Sequence, residues 1–340
     1  MKLKRATITD VAALAGVSRS TVSQYLNKRY KHMSSDTKEK IKAAISELNY
    51  YPNELARGLK QKKTSMIGII VATITSEFTT EIVRSVEDEC LKRGVQLIIC
   101  NADDDPQKER QYINTLVARQ LDGLLIFPHT QNKEIYLELI KHNFPLVFLD
   151  RKIDGVNVPT LLFDNVEASR MAVEHFIKKG HKKIGILTKP VGEYLITTRV
   201  ERIEGYRRGH NEKNLPIDEK YIHSVEMNEM QQALESMFLN KKTAPTAILA
   251  GNDMILEEIL IFAKKHKSFL PKEFSVIGID DVLFAKFNTP AITTISQPTY
   301  EMGKKSAQVL LDIIDEIGEQ MIMTYRFPPT FNERESVKNL

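Results

Sequence analysis

Arg19, Ser20, Ser23 and Gln24 fall within the six residues 19–24, and they are side-chain types that reach base edges and phosphates in a duplex groove. A guanidinium or an amide makes paired hydrogen bonds to a base, and a hydroxyl serves a base or a phosphate. A second set of polar residues closes short apolar runs further along: Thr75 and Ser76, His129 and Thr130, Asp150 and Arg151, Asn252 and Asp253, Asp280 and Asp281. If those runs are parallel strands, their ends form the crevice in which an open α/β sheet binds a ligand. Asn, Asp and Ser at strand ends also cap the helix that follows, so both roles stay open at each position.

Groove-reading residues need a rigid helix to carry them. Residues 7–27, TITDVAALAGVSRSTVSQYLN, read as two short helices joined by a tight turn, the layout that lays its second helix in the major groove. Thr7 caps the first helix, and Asp10 puts a carboxylate near its positive end. Ile8, Val11, Ala12 and Ala15 recur at helical spacing, and Gly16 supplies a left-handed turn. Val17 plugs the space between the helices, and Ser18 caps the second one. Val22 and Leu26 point back at the first helix and leave Arg19, Ser20, Ser23 and Gln24 outward. The competing reading is a helical hairpin with a solvated polar face. Ser34 or Ser35 caps a third helix carrying Ile41, Ala44, Ile45 and Leu48, which closes a three-helix core. Tyr50, Tyr51, Pro52 and Asn53 then break the pattern. NELARGLK reads as a short helix that cannot hold alone and orders only with a partner helix and DNA.

Charge agrees with this division. Residues 1–63 hold fourteen Lys or Arg and five Asp or Glu, a balance of +9, while the remainder holds 34 against 39. A basic head on a mildly acidic body is the footprint of nucleic-acid binding, although basic termini are often only solvated. At 340 residues with 42% apolar and 7% aromatic content, two or three ordinary globular domains are expected. No apolar run has the length of a membrane span and the basic start lacks a signal-peptide core, so a cytoplasmic protein is expected. Cys90 and Cys100 form no CxxC pair and no His cluster, so buried free thiols are expected rather than a metal site.

From about Thr64 the chain alternates strand and helix. The runs 66–74, 95–100, 123–128 and 145–150 are apolar stretches of the kind buried in parallel sheets, separated by amphipathic segments such as IVRSVEDECLKRG. A second series starts near residue 160 and includes KKIGILT, TAILAGN and FSVIGID. The reading is a multidomain chain, with an all-α helix-turn-helix head at 1–50, a hinge helix and linker at 51–63, and an α/β body of two doubly wound lobes at 64–340. The first lobe is expected at about 64–162 plus 292–322, the second at about 163–291 plus 323–340. GxSxG, a GxGxxG after the first strand, a Walker loop and HExxH are all missing from the sequence, which argues against an enzyme. A transport protein with the same body would carry a signal peptide in place of residues 1–60.

The phrases TITDVAALAGVSRSTVSQYLN, ELNYYPNELARGLK, ITSEFTTEIVRSVEDEC, RIEGYRRG, GNDMILEEIL and SVIGIDDVLFAKFNTPAITTISQP resemble the lactose/galactose repressor (LacI/GalR) family in order and spacing, over essentially the whole chain. The resemblance implies a homodimer whose heads each read half of a pseudo-palindromic operator in double-stranded DNA. It also implies a body like periplasmic sugar-binding proteins that senses a sugar, sugar acid or sugar phosphate, with no cofactor. Carried over by position, Arg19, Ser20 and Gln24 read bases, Thr21 and Ser23 touch phosphates, and Asn27 ends the recognition helix. Many members have Arg where this chain has Gln24, and Gln favours adenine over guanine. In the hinge, Asn53 starts the helix, Ala56 packs beside Leu59, and Leu59 wedges into a central minor-groove step. Gly58 weakens that helix, and the competing role for Leu59 is a contact with the body. In the body, Asp150, Arg202, Asn252 and Asp280 match ligand-contacting positions and Ser76 and Phe78 match the first-lobe wall, with His129 also taken as a cleft residue. Arg202 pairs instead with Glu201 or Glu204 in the competing reading. With no Trp in the chain, a ring-stacking platform falls to Phe78, Phe127 or a Tyr. Arg151 beside Asp150 points either to an acidic effector or to solvent.

Effector binding that favours one arrangement of the lobes biases the hinge and the heads, and changes operator affinity by the same coupling energy. Release and tightening both satisfy that linkage. The ending TYRFPPTFNERESVKNL carries no trailing leucine heptad, so a dimer rather than a tetramer is expected.

Overall fold

The computed structural model describes residues 6–51, 63–192, 195–267, 270–318 and 322–340. The chain divides after Thr64 into two compact units.

In the first unit, α1 (Ile8–Ala15) begins with a capping box. Thr7 N donates to the Asp10 carboxylate at 2.7 Å, and Thr7 Oγ1 accepts from Asp10 N at 3.3 Å. Two otherwise orphaned amides are satisfied reciprocally. Gly16 ends the helix at φ 65°, where a side chain would be strained. α2 (Arg19–Leu26) starts on Ser18, which accepts from Thr21 N, and α3 (Ser35–Glu47) starts on Ser34, which accepts from Thr37 N. Val11, Ala12, Ala15, Val22, Ile41, Ala44 and Tyr50 form the core, with Val17, Tyr25, Leu26, Ile45 and Leu48 packed against it.

The second unit holds two six-stranded sheets. The first runs in the order β11-β5-β4-β3-β1-β2, all parallel, from β1 (Met66–Val71), β2 (Gln96–Asn101), β3 (Gly123–Ile126), β4 (Leu146–Leu149), β5 (Thr160–Phe163) and β11 (Thr324–Phe327). The second runs β12-β10-β9-β8-β6-β7, from β6 (Ile184–Thr188), β7 (Ile222–Ser224), β8 (Ala247–Ala250), β9 (Ser275–Ile279), β10 (Thr293–Ser296) and the antiparallel edge β12 (Thr330–Asn332). Helices cover the faces of both: α4 (Glu77–Lys92), α5 (Pro106–Ala118) and α6 (Lys133–Lys141) in the first lobe, α7 (Asn165–Lys178), α8 (Thr197–Glu212), α9 (Met230–Phe238), α10 (Asp253–Lys265) and α11 (Leu283–Phe287) in the second. The helix α12 (Thr299–Ile314) returns to pack on α4.

Strand alternation builds a core on each face. Ile67, Ile69 and Val71 pack with Ile82, Val86 and Leu310 on one side of the first sheet, while Ile70, Leu124 and Ile126 meet Ile113, Leu116 and Tyr136 on the other. Helices α7 and α8 pack closely because of Gly205. A Cβ at that position would lie 2.1 Å from the Val166 carbonyl oxygen.

The chain crosses between lobes three times, after β5, after β10 and after β11. The sequence reading put 292–322 in the first lobe and 323–340 in the second. Strand pairing corrects both bounds, since Thr293–Ser296 belongs to the second sheet and Thr324–Phe327 to the first. TTIS and TYRF lack the long apolar runs of central strands, so their pattern does not say which sheet they complete.

Candidate functional site

On the head, Arg19, Ser20, Gln24 and Asn27 are exposed, and Thr21 and Ser23 are half-buried along the same helix. The reason is the helical period: Val22 and its neighbours Tyr25 and Leu26 take the inward face. Arg19 and Gln24 make no side-chain hydrogen bond among the described residues, so their donors face outward. Others are partly committed. Ser20 Oγ shares a 2.6 Å hydrogen bond with Ser18 Oγ, Thr21 Oγ1 a 2.8 Å one with the same atom, and Asn27 Nδ2 donates to Ser23 O at 2.8 Å. Thr7 spends its hydroxyl on Asp10. Ser34, not Ser35, is the cap of α3. Asn53, Ala56 and Leu59 lie outside the described residues.

In the body, a cleft of about 680 Å³, counted to its open mouth, lies between the lobes. Its first-lobe wall includes Ser76, Phe78, Phe127, Asp104, Asp150 and Arg151. The second lobe supplies Lys189, Arg199, Arg202, Asn252, Asp253 and Asp280, and Gln297 sits at a crossover. Strand-end geometry positions them. Asp150 follows β4 at φ 65° and Asp280 follows β9 at φ 81°, a left-handed conformation that Asp tolerates better than most residues. Asn252 caps α10 by accepting from Ile255 N at 3.0 Å, so at this position capping and cleft-lining coincide. Phe78 meets Phe127 edge to face at 6.3 Å. Together they form an apolar patch of the cleft wall.

Several contacts among the described residues join the two lobes at the cleft. Ser76 Oγ donates to Asp253 Oδ2 at 2.8 Å and Glu77 N to the same oxygen at 3.1 Å. Arg199 on α8 holds Asp104, which also takes Arg151 at 2.7 Å from its own lobe. Behind them, Arg326 on β11 grips Glu201 on α8 at 2.8 and 3.0 Å, bracing the crossovers. Arg202 does not pair with Glu201 or Glu204. It is buried, donating through Nε to Asn165 Oδ1 at 2.8 Å and through Nη1 to the Gly251 carbonyl.

Burial dominates the electrostatics. It raises the Asp150 carboxyl despite Arg151 and Arg202 nearby, and lifts Asp280 to about 7, assisted by the charge of Asp253. Asp104 is also desolvated, but Arg151 and Arg199 outweigh that and hold it well below the usual carboxylate range. Burial lowers the Lys189 ammonium, only partly offset by Asp104.

His129 is the sequence-read cleft residue that the structure removes. Its Nδ1 accepts from Gln131 N at 3.3 Å as the cap of a short turn, Thr130–Asn132, and it does not line the cleft. A strand-end His fits capping as well as ligand contact, and here the turn takes it. Asp104, Lys189, Arg199 and Gln297 were missed. Arg199 stands one turn before Arg202 on the same helix face, which was a readable signal, whereas Asp104 and Lys189 are brought together only by the approach of two lobes. Cys90 and Cys100 are free and buried, with burial raising the Cys90 thiol to about 11. No described helix is long and apolar enough to cross a membrane.

A family profile for bacterial regulatory proteins of the lacI family matches residues 7–53, and one for periplasmic binding protein-like domains matches 173–337. The chain is 51% identical to the probable HTH-type transcriptional regulator EndR of Paenibacillus polymyxa, over 98% of this chain and 99% of that one. Among solved structures it resembles the lac repressor dimer bound to operator and the anti-inducer ONPF, with 25% identity and a TM-score of 0.84 over 98% of this chain and 100% of that one. A complex of the transcriptional regulator CelR with cellobiose matches with 26% identity and a TM-score of 0.72 over the same shares. The head with its outward recognition helix, the two-lobed body and these likenesses agree: the chain belongs to the lacI family of bacterial regulatory proteins and is a transcriptional regulator, not an enzyme.

Proposed function

We propose that this protein is a sequence-specific DNA-binding repressor of carbohydrate-utilisation genes, acting as a homodimer. Its operator affinity is set by a small sugar-like or sugar-acid effector bound between the lobes. The observation that carries the reading is the cleft whose walls come from both lobes and are bridged by Ser76–Asp253 and Asp104–Arg199. A ligand touching Asp150 on one side and Arg202, Asn252 and Asp280 on the other binds one lobe arrangement better than another. Such differential binding is the requirement for coupling. The lac repressor neighbour was solved as a dimer on operator and the CelR neighbour with cellobiose, which supports both halves of the reading.

On the DNA side, Arg19, Ser20 and Gln24 read base edges in the major groove and Thr21, Ser23 and Asn27 sit at the backbone. Asn53, Ala56 and Leu59 form the hinge, with Leu59 as the minor-groove wedge. Selection of bound duplexes from a randomised pool, followed by fluorescence anisotropy across a salt series, tests this. A pseudo-palindromic site, affinity that falls steeply with salt, and a roughly 5- to 150-fold change on adding the effector are expected. Equal affinity for selected and random duplexes would overturn it.

A further inference from the structure

We infer that the effector is an anionic polyol: a polyhydroxylated chain or ring with one carboxylate or phosphate, whose charged end docks on Lys189 and Arg151. This rests on the cleft being the effector site, and it names the chemical class.

The cleft has two poles. At one end three cations, Arg151, Lys189 and Arg199, gather about Asp104, with a second carboxyl, Asp150, beside Arg151 and raised by burial toward its neutral form. Asp104 is bonded to both arginines, and Lys189 has no ion-pair partner among the described residues. Among the described residues, at least two donors at this end are unspent. One is the Lys189 ammonium, and another is Arg151 Nε, on a residue only 7% exposed, which has no hydrogen-bond partner among the described residues. The nearest carboxylate oxygen, Asp150 Oδ2, stands 3.7 Å from that nitrogen, beyond hydrogen-bond reach. At the other end Asp253 and Asp280 face Arg202, and the buried Gln297 donates to Asp280 at 2.6 Å while its own Oε1 has no donor.

Donors with excess positive charge match an oxyanion, and acceptors with excess negative charge match hydroxyl groups. A neutral sugar satisfies only the second pole and leaves a desolvated ammonium that Asp104 offsets only in part, which is costly inside a cleft. An anionic polyol satisfies both. Burial also lowers the Lys189 ammonium, the direction an approaching anion reverses. Phe78 and Phe127 lie along the wall, where they cover the carbon skeleton.

The test is calorimetric titration of the full-length protein with D-gluconate, D-glucuronate, D-glucose 6-phosphate, D-glucose and cellobiose, each repeated with operator anisotropy. At least one acid or phosphate is expected to bind, and which of the two binds identifies the anion. Lys189→Met should weaken that ligand about 10- to 100-fold, the range for a hydrogen bond between charged groups. Lys189→Arg should retain most of the affinity, and an unchanged melting temperature shows that Lys189→Met is folded. Binding and operator response with a neutral sugar alone would overturn this inference and leave the proposed function standing. An anion that binds Lys189→Met as tightly as the parent would overturn it too. Failure of every compound in both assays would bring down the proposed function, and this inference with it.

Discussion

Replacing Gly205 with Ala sets two physical arguments against each other. In a free helix the change stabilises by about 0.5–1 kcal/mol, because Gly pays more backbone entropy. In this structure the new Cβ would lie 2.1 Å from the Val166 carbonyl oxygen, 2.8 Å from its carbon and 2.9 Å from Ser169 Cβ. The obstacle is backbone on a packed helix and cannot swing aside, so α7 and α8 must part by about 1 Å to restore an ordinary carbon–oxygen contact. Overpacking of this kind costs roughly 1–3 kcal/mol or more, and two stiff elements put the substitution at the upper end. For a body of this size that lowers the melting temperature by roughly 5–10 °C. The displacement also acts on the cleft. Asn165 on α7 orients Arg202 on α8 through a 2.8 Å hydrogen bond, and a shift of about 1 Å takes it past hydrogen-bond range. Scanning calorimetry of Gly205→Ala beside Glu204→Ala, an exposed neighbour expected within about 0.5 kcal/mol of the parent, checks the first claim. Ligand titration checks the second. A melting temperature equal to or above the parent's would refute the packing argument, since helix propensity would then have won.

Asp280 has a folded pKa near 7 against roughly 3.9 unfolded. Its contribution to stability is therefore complete below about pH 4 and lost as pH rises through 7. Asp280→Asn, which tolerates the same backbone and still accepts from Gln297, should melt higher than the parent at pH 8 and flatten the fall in melting temperature between pH 5 and 8, while weakening effector binding. A steeper fall would contradict the burial argument. Thr7→Ala removes the capping box and should cost the head about 1 kcal/mol, seen as lowered amide-exchange protection in α1; unchanged protection would count against the cap. Arg19→Ala should cost about 1–3 kcal/mol on a selected site and relax preference at one base pair, whereas Leu59→Ala should weaken selected sites more than random DNA because a kink is lost. Uniform weakening on both kinds of duplex would contradict those two roles.

The head was legible residue by residue because its determinants are local. Thr7 and Asp10, Gly16, and Ser18 with Thr21 act within one helical turn, so spacing alone carried the helices and the exposed face. The central strands were legible for a related reason, as residues buried on both faces read as unbroken apolar runs. The strands Thr293–Ser296, one place in from a sheet edge, and Thr324–Phe327, at an edge, were not assignable, because four-residue segments of mixed polarity take their sheet from whichever lobe the chain has re-entered. His129 shows the same limit at a single residue: its type suited a ligand site, and a nearby amide claimed it.

The sequence by itself therefore determined the helix-turn-helix head, the family, and most of the polar residues at strand ends, since each depends on neighbours close along the chain. Only the tertiary structure decided that Asp104 is shared by Arg151 and Arg199, that Arg202 turns to Asn165 and Gly251 rather than to its own helix, and that Lys189 stands near Asp104 without a direct ion pair among the described residues. Charges separated by tens of residues acquire partners, and pKa values, from burial and from the meeting of two lobes, which no local pattern encodes.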